Sequence, residues 1–127
     1  MTYILFTLSI LWFPPPANDI CQLDAVICPE EQPAYIQEYI RDEFNRAGLD
    51  SEKGLKVAFC ESRYVLDAVG YNKGDNGIDR GLWMLNSKWH PEVSDECAFD
   101  LECSTKEAIR IIKQRGFKEW TCNKLIK

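Results

Sequence analysis

Apolar residues recur at helical spacing over three stretches of the chain. From Pro33, whose fixed φ suits a first helical turn, Ile36, Tyr39, Ile40, Phe44 and Ala47 fall on one face, and Gly48 is a natural stop. Ser51 is placed to cap a second helix, with Leu55, Ala58 and Phe59 on its inner face, that runs to Glu61 or Ser62. Ser104 and Glu107 form the capping-box pattern of a third helix, with Ala108, Ile111 and Ile112 inside and Gly116 at its end. Between the second and third helices, residues 70–81 hold four glycines and two asparagines, the turn chemistry of a small β-hairpin. Residues 18–33 read as irregular, and no internal repeat is present. The pattern predicts an α+β domain, mainly helical, with a small β-hairpin lobe between two helical parts.

Tyr3 to Phe13 is an almost unbroken apolar run, followed by three prolines and Ala17. It is shorter than the roughly 20 apolar residues that span a bilayer and has the length of a secretory apolar region. Residues 1–17 are therefore read as a signal peptide with Ala17 as a cleavage position, leaving 18–127 as one domain. Against this stand the absence of Lys or Arg before the run and the proline cluster. The alternative is an N-terminal segment that packs on the domain.

Six cysteines, at 21, 28, 60, 97, 103 and 122, follow this segment. An even count in a short exported chain is a disulfide framework. Cys97 and Cys103 bracket five residues and form the natural local pair; Cys21 with Cys28 is a second, which leaves Cys60 for Cys122. No Cys-x-x-Cys pair occurs and His90 is the one histidine, so the paired-ligand spacing of zinc is missing and no metal is expected. The Asp and Asn residues of 70–81 lack the ordered positions and terminal Glu of a calcium loop. The net charge is −5, which suits nucleic acid poorly because binding rests on Lys and Arg neutralising phosphates. The chain reads as an exported monomer, secreted or periplasmic, without stable membrane insertion once the signal is removed.

Two stretches carry chemistry. Glu61 ends an apolar helix just after Phe59 and Cys60, where partial desolvation raises a carboxyl's proton affinity and makes it a proton donor near neutral pH. Asp79 leaves a polar turn, and Arg80 beside it is a candidate ion-pair partner. Two carboxyl groups in unlike surroundings are the equipment for breaking a glycosidic bond. Trp83 and Trp89 add flat faces on which a sugar ring stacks. The bland readings are that Glu61 and Asp79 are surface charges and that Trp83, between Leu82 and Met84, is core.

The run Phe59, Glu61, Ser62 and Tyr64, followed by Asp79, Gly81, Leu82, Leu85, Asn86, Ser87 and Trp89, resembles the animal (C-type) lysozymes. The Glu61-Ser62 pair and the Gly81-Leu82-Trp83 step also resemble bacterial and phage lytic transglycosylases. The similarity is concentrated in residues 57–91. It implies a lysozyme-like fold with a cleft between a helical body and the β lobe, and a peptidoglycan or related aminosugar polymer as substrate, cut at β-1,4 bonds. It places Glu61 on the general acid, Asp79 on the nucleophilic or stabilising carboxylate, and Asn86 and Trp89 on sugar-contacting positions. No cofactor is implied. Met84 stands where these families commonly have glutamine, Cys60 directly precedes the acid, and the cysteine pattern is not that of animal lysozymes. With the acidic balance, these departures point to a wall-remodelling enzyme rather than a defensive one. Alternatives are a lytic transglycosylase, a chitin-directed hydrolase, and a non-catalytic glycan-binding protein of the same fold.

Overall fold

Helix α1 (Gln32–Arg46) follows the predicted stripe: Ile36, Ile40 and Phe44 are buried while their neighbours face outward. These positions come from a computed structural model, which describes residues 32–71 and 74–125. The N-terminal apolar run, Cys21 and Cys28 lie outside the described residues. Gly48 turns the chain at φ 75°, and the Leu49 amide closes the end of α1 on the Phe44 carbonyl.

Helix α2 (Ser51–Ser62) is capped by Asp50 rather than by the predicted Ser51. Asp50 holds the extended backbone that a cap needs, and its carboxylate accepts from the Lys53 amide while its charge suits the helix start. Leu55, Val57 and Ala58 are buried, and Gly54 lies so close to the Phe44 ring that a Cβ there would strike it. Phe59, expected on the inner face, is instead 44% exposed and packs against Tyr64 and under Arg63.

The β lobe has three antiparallel strands in sequential order: β1 (Val69–Tyr71), β2 (Ile78–Arg80) and β3 (Leu85–Asn86). Asp79 pairs with Gly70 on one side and with Asn86 on the other. The predicted hairpin is β1–β2; β3 is an addition. At its tip the Asp75 carboxylate accepts from the Gly77 amide, an Asx turn that tightens the bend. Gly81, at φ 76°, abuts the Ala98 carbonyl so closely that no side chain fits.

Helix α3 (Asp95–Ala98) is capped by Ser94, and α4 (Leu101–Arg115) by Asp100, whose carboxylate accepts from the Cys103 amide. The predicted capping box at Ser104 is displaced: Ser104 and Thr105 are buried within α4, and the Thr105 hydroxyl accepts from the Trp83 indole. Ala108, Ile111 and Ile112 are buried and Gly116 caps the helix, as expected. Two 3₁₀ turns follow, Gly116–Glu119 and Thr121–Leu125. Trp83 is the centre of the core, stacked on Phe44 at 5.5 Å and met edge-on by Trp120 at 6.1 Å. Cys60 bridges Cys122 and Cys97 bridges Cys103, the pairings read from the sequence. The first closes a long loop and restricts the unfolded chain, a contribution of about 2–4 kcal/mol. Among the described residues, no helix is long and apolar enough to cross a membrane.

Candidate active site

The end of α2 sets Glu61. The helix stops at Arg63, in the left-handed region at φ 57°, and Tyr64 follows at φ 63°. Two successive non-glycine residues there are costly. The Tyr64 hydroxyl repays part of that cost by donating to the Leu55 carbonyl at 3.1 Å. Ser62 is buried, and its hydroxyl donates to the Leu82 carbonyl at 2.8 Å, with the Ala58 carbonyl at 3.2 Å as a second acceptor. Ser62 thus bolts the helix end to the segment after β2. Glu61, one position earlier and about 100° around the helix, turns toward a cleft of about 250 Å³.

The opposite side of the cleft is the β lobe. Asp79 sits on β2 and accepts from the Asn86 side-chain amide at 2.8 Å. The Asn86 side-chain oxygen Oδ1 in turn accepts from the Lys88 and Trp89 backbone amides. Gly77 makes room for this: a Cβ there would occupy the space of the Asn86 side chain. Trp89 is 65% exposed at the cleft edge, its indole donating to Asp75 at 2.7 Å. Arg80 does not pair with Asp79. Side chains alternate along a strand, so Arg80 points to the other face and reaches Asp95 at 2.9 Å and the Leu85 and Val93 carbonyls.

The two electrostatic environments differ. Burial pushes the Glu61 carboxyl above its ordinary value, and the charge of Asp79 adds to this. The Cys122 amide, donating to Glu61 Oε1 at 3.4 Å, pulls the other way. Asp75 is held below the usual carboxylate range by the Gly77 amide, with the Trp89 indole helping. The expected desolvation of Glu61 is present, although Phe59 itself is partly exposed and packs on Tyr64 and Arg63.

Of the residues singled out in the sequence, Glu61, Asp79, Asn86 and Trp89 line this one cleft. Trp83 does not. It is 0% exposed, with its indole bound to Thr105 and its carbonyl accepting from the Trp120 indole at 2.8 Å, so no ring face is free for a sugar. The cleft also takes in Asp75, Met84 and His90, and a C-terminal wall of Glu119, Trp120 and Thr121 that the sequence reading missed. The signal for that wall was the Cys60–Cys122 pairing, which brings the residues before Cys122 to Glu61. Among the described residues, no cluster of three or more His, Cys, Asp or Glu side chains is arranged to hold a metal ion.

A family model described as "Lysozyme like domain" matches residues 46–122, more than half of the chain. The chain belongs to this lysozyme-like family. Similar curated proteins include "Lysozyme C, intestinal isozyme" of Bos taurus, 28% identical over 95 residues, with 59% of this chain and 65% of that protein covered. "Lysozyme C-3" of Ovis aries is 30% identical over 95 residues with the same coverage, and "Lysozyme C" of Pelodiscus sinensis 32% over 82 residues, covering 55% and 61%. The chain thus spans about 65% of the length of the first of these relatives. Within the lysozyme-like domain, the matched span runs from the end of α1 to Cys122 and holds every residue named for the cleft.

Proposed function

We propose that this lysozyme-like domain is a glycoside hydrolase that cleaves β-1,4 bonds of peptidoglycan after N-acetylmuramic acid. The observation that carries the reading is the cleft itself, with a half-buried Glu61 of raised proton affinity facing a second carboxylate, Asp79, on the β lobe. A carboxyl of raised proton affinity holds its proton to higher pH and donates it to the leaving glycosidic oxygen. Asp79, held by Asn86, stabilises or traps the cationic sugar that forms. Trp89 offers an open indole face for a sugar ring, and its bond to Asp75 fixes that face. Activity falls as pH rises through the raised Glu61 value, because the acid is then ionised. The disulfides fit an exported protein working outside the reducing cytosol.

Digestion of purified cell walls, with mass spectrometry of the fragments, tests this. The wild type should release reducing ends, and Glu61→Gln should cut the rate by at least about 10²-fold. Asp79→Asn should collapse activity as well. Fragments ending in 1,6-anhydro sugars, together with tolerance of Asp79→Asn, would transfer the reading to a lytic transglycosylase, in which the substrate's own hydroxyl attacks. Binding without cleavage would make the domain a glycan-binding module.

A further inference from the structure

The bridge from Cys60 to Cys122 sits beside the chemistry rather than elsewhere in the core. Cys60 precedes Glu61 in the last turn of α2, and Cys122 is the second residue of the last 3₁₀ turn. At that position an amide has no partner within its own turn. The Cys122 amide uses the freedom to donate to Glu61 Oε1 at 3.4 Å. The three residues before it, Glu119 to Thr121, form one wall of the cleft.

This wall has two attachments that do different things. Trp120 plugs into the core: it is buried, its indole donates to the Trp83 carbonyl at 2.8 Å, and its ring meets Trp83 edge-on. That contact keeps the segment on the domain. The disulfide instead joins the segment to the helix turn that carries Glu61, and so fixes where the amide and the wall stand relative to the carboxyl. Resting on the assignment of Glu61 as the acid, we propose that the Cys60–Cys122 bridge is a positioning element of the cleft, so that opening it disables cleavage in a domain that stays folded.

The double variant Cys60→Ser/Cys122→Ser in the full chain tests this without leaving a free thiol. Near-ultraviolet circular dichroism should remain native while cleavage falls at least about 10-fold, the scale of a misplaced proton donor. A second readout separates positioning from plain stabilisation. Moving the wall takes away both the Cys122 amide, which favours ionised Glu61, and part of the burial that opposes it, so the alkaline limb of the pH–rate profile should leave its wild-type position. The other titratable groups at the cleft, Asp75 and Asp79 from the β lobe, His90 from the loop after β3, and Glu119, are unchanged in the variant. Cys97→Ser/Cys103→Ser serves as the control that lowers stability and leaves the limb in place. An unmoved limb in the folded Cys60/Cys122 variant overturns the proposal.

Should that variant not fold, the wild type still decides. By NMR the Cys122 amide proton should shift with the titration of Glu61, and the shift should vanish in Glu61→Gln; an amide that does not follow Glu61 refutes the idea. Failure of the functional reading looks different, since the wild type would then not cleave, or Glu61→Gln would cleave normally.

Discussion

Consider replacing Arg80 with methionine, which keeps most of the aliphatic stem and removes every donor. The Arg80 side chain is 4% exposed and spans from β2 to the segment after β3. It donates to the Leu85 carbonyl at 3.0 Å, the Val93 carbonyl at 2.9 Å and Asp95 at 2.9 Å, with the His90 carbonyl more distant at 3.4 Å. Asp95 is 81% exposed and rehydrates at little cost. The loss therefore falls on the two buried carbonyls, at about 1.5 kcal/mol each for bonds from a charged donor, or about 3 kcal/mol in all. For a domain of this size that lowers Tm by about 12–24 °C. Because Trp89 and His90 lie on the freed segment while Glu61 and Asp79 do not, KM for a soluble glycan should rise about 10-fold with kcat less affected. Thermal melts and Michaelis kinetics measure both. A shift in Tm under about 3 °C with KM unchanged would show that Arg80 does not hold this segment.

Glu61→Gln should be nearly inactive yet more stable than the wild type once pH exceeds the raised Glu61 value. Burial raises the Glu61 carboxyl, so between its ordinary and raised values the folded chain binds more protons than the unfolded one, and stability falls as pH rises through that window. Glutamine removes the buried charge, so the gain in Tm should be full above the window and shrink toward the ordinary carboxyl value, about 4.3, as melts across pH will report. The tryptophans should separate cleanly. Trp83→Ala should cost about 3–5 kcal/mol in chemical denaturation. Trp89→Ala should leave stability within about 0.5 kcal/mol and weaken glycan binding measured by calorimetry.

Helical periodicity was legible because Ile36, Ile40 and Phe44, and later Ala108, Ile111 and Ile112, bury one face regardless of what they pack against. The caps were less so. Asp50 beside Ser51, and Asp100 four residues before Ser104, are all competent cap residues, and the choice was made by packing: Thr105, beside Ser104, is held inside α4 by the Trp83 indole. Strand β3 is two residues long, too short for alternation to register. Glu61, Asp79, Asn86 and Trp89 could be picked out from the order of residue types around them. Trp83 could not be sorted, since a core indole and a sugar platform look alike when both neighbours are apolar. The C-terminal wall is distant in sequence and joins the cleft through a covalent link, which periodicity does not see.

The short segment from Gly81 to Trp83 meets every part of the domain. Gly81 touches α3 at Ala98, the Leu82 carbonyl takes the Ser62 hydroxyl from α2, and Trp83 reaches α4 through Thr105 and the C-terminal turns through Trp120. Because one three-residue segment carries all of these contacts, the attachment of the β lobe is coupled to the packing of the helical core. Amide exchange in β2 and β3 should then require the same opening that unfolds the helices, making the β lobe part of one cooperative unit rather than a separately melting flap.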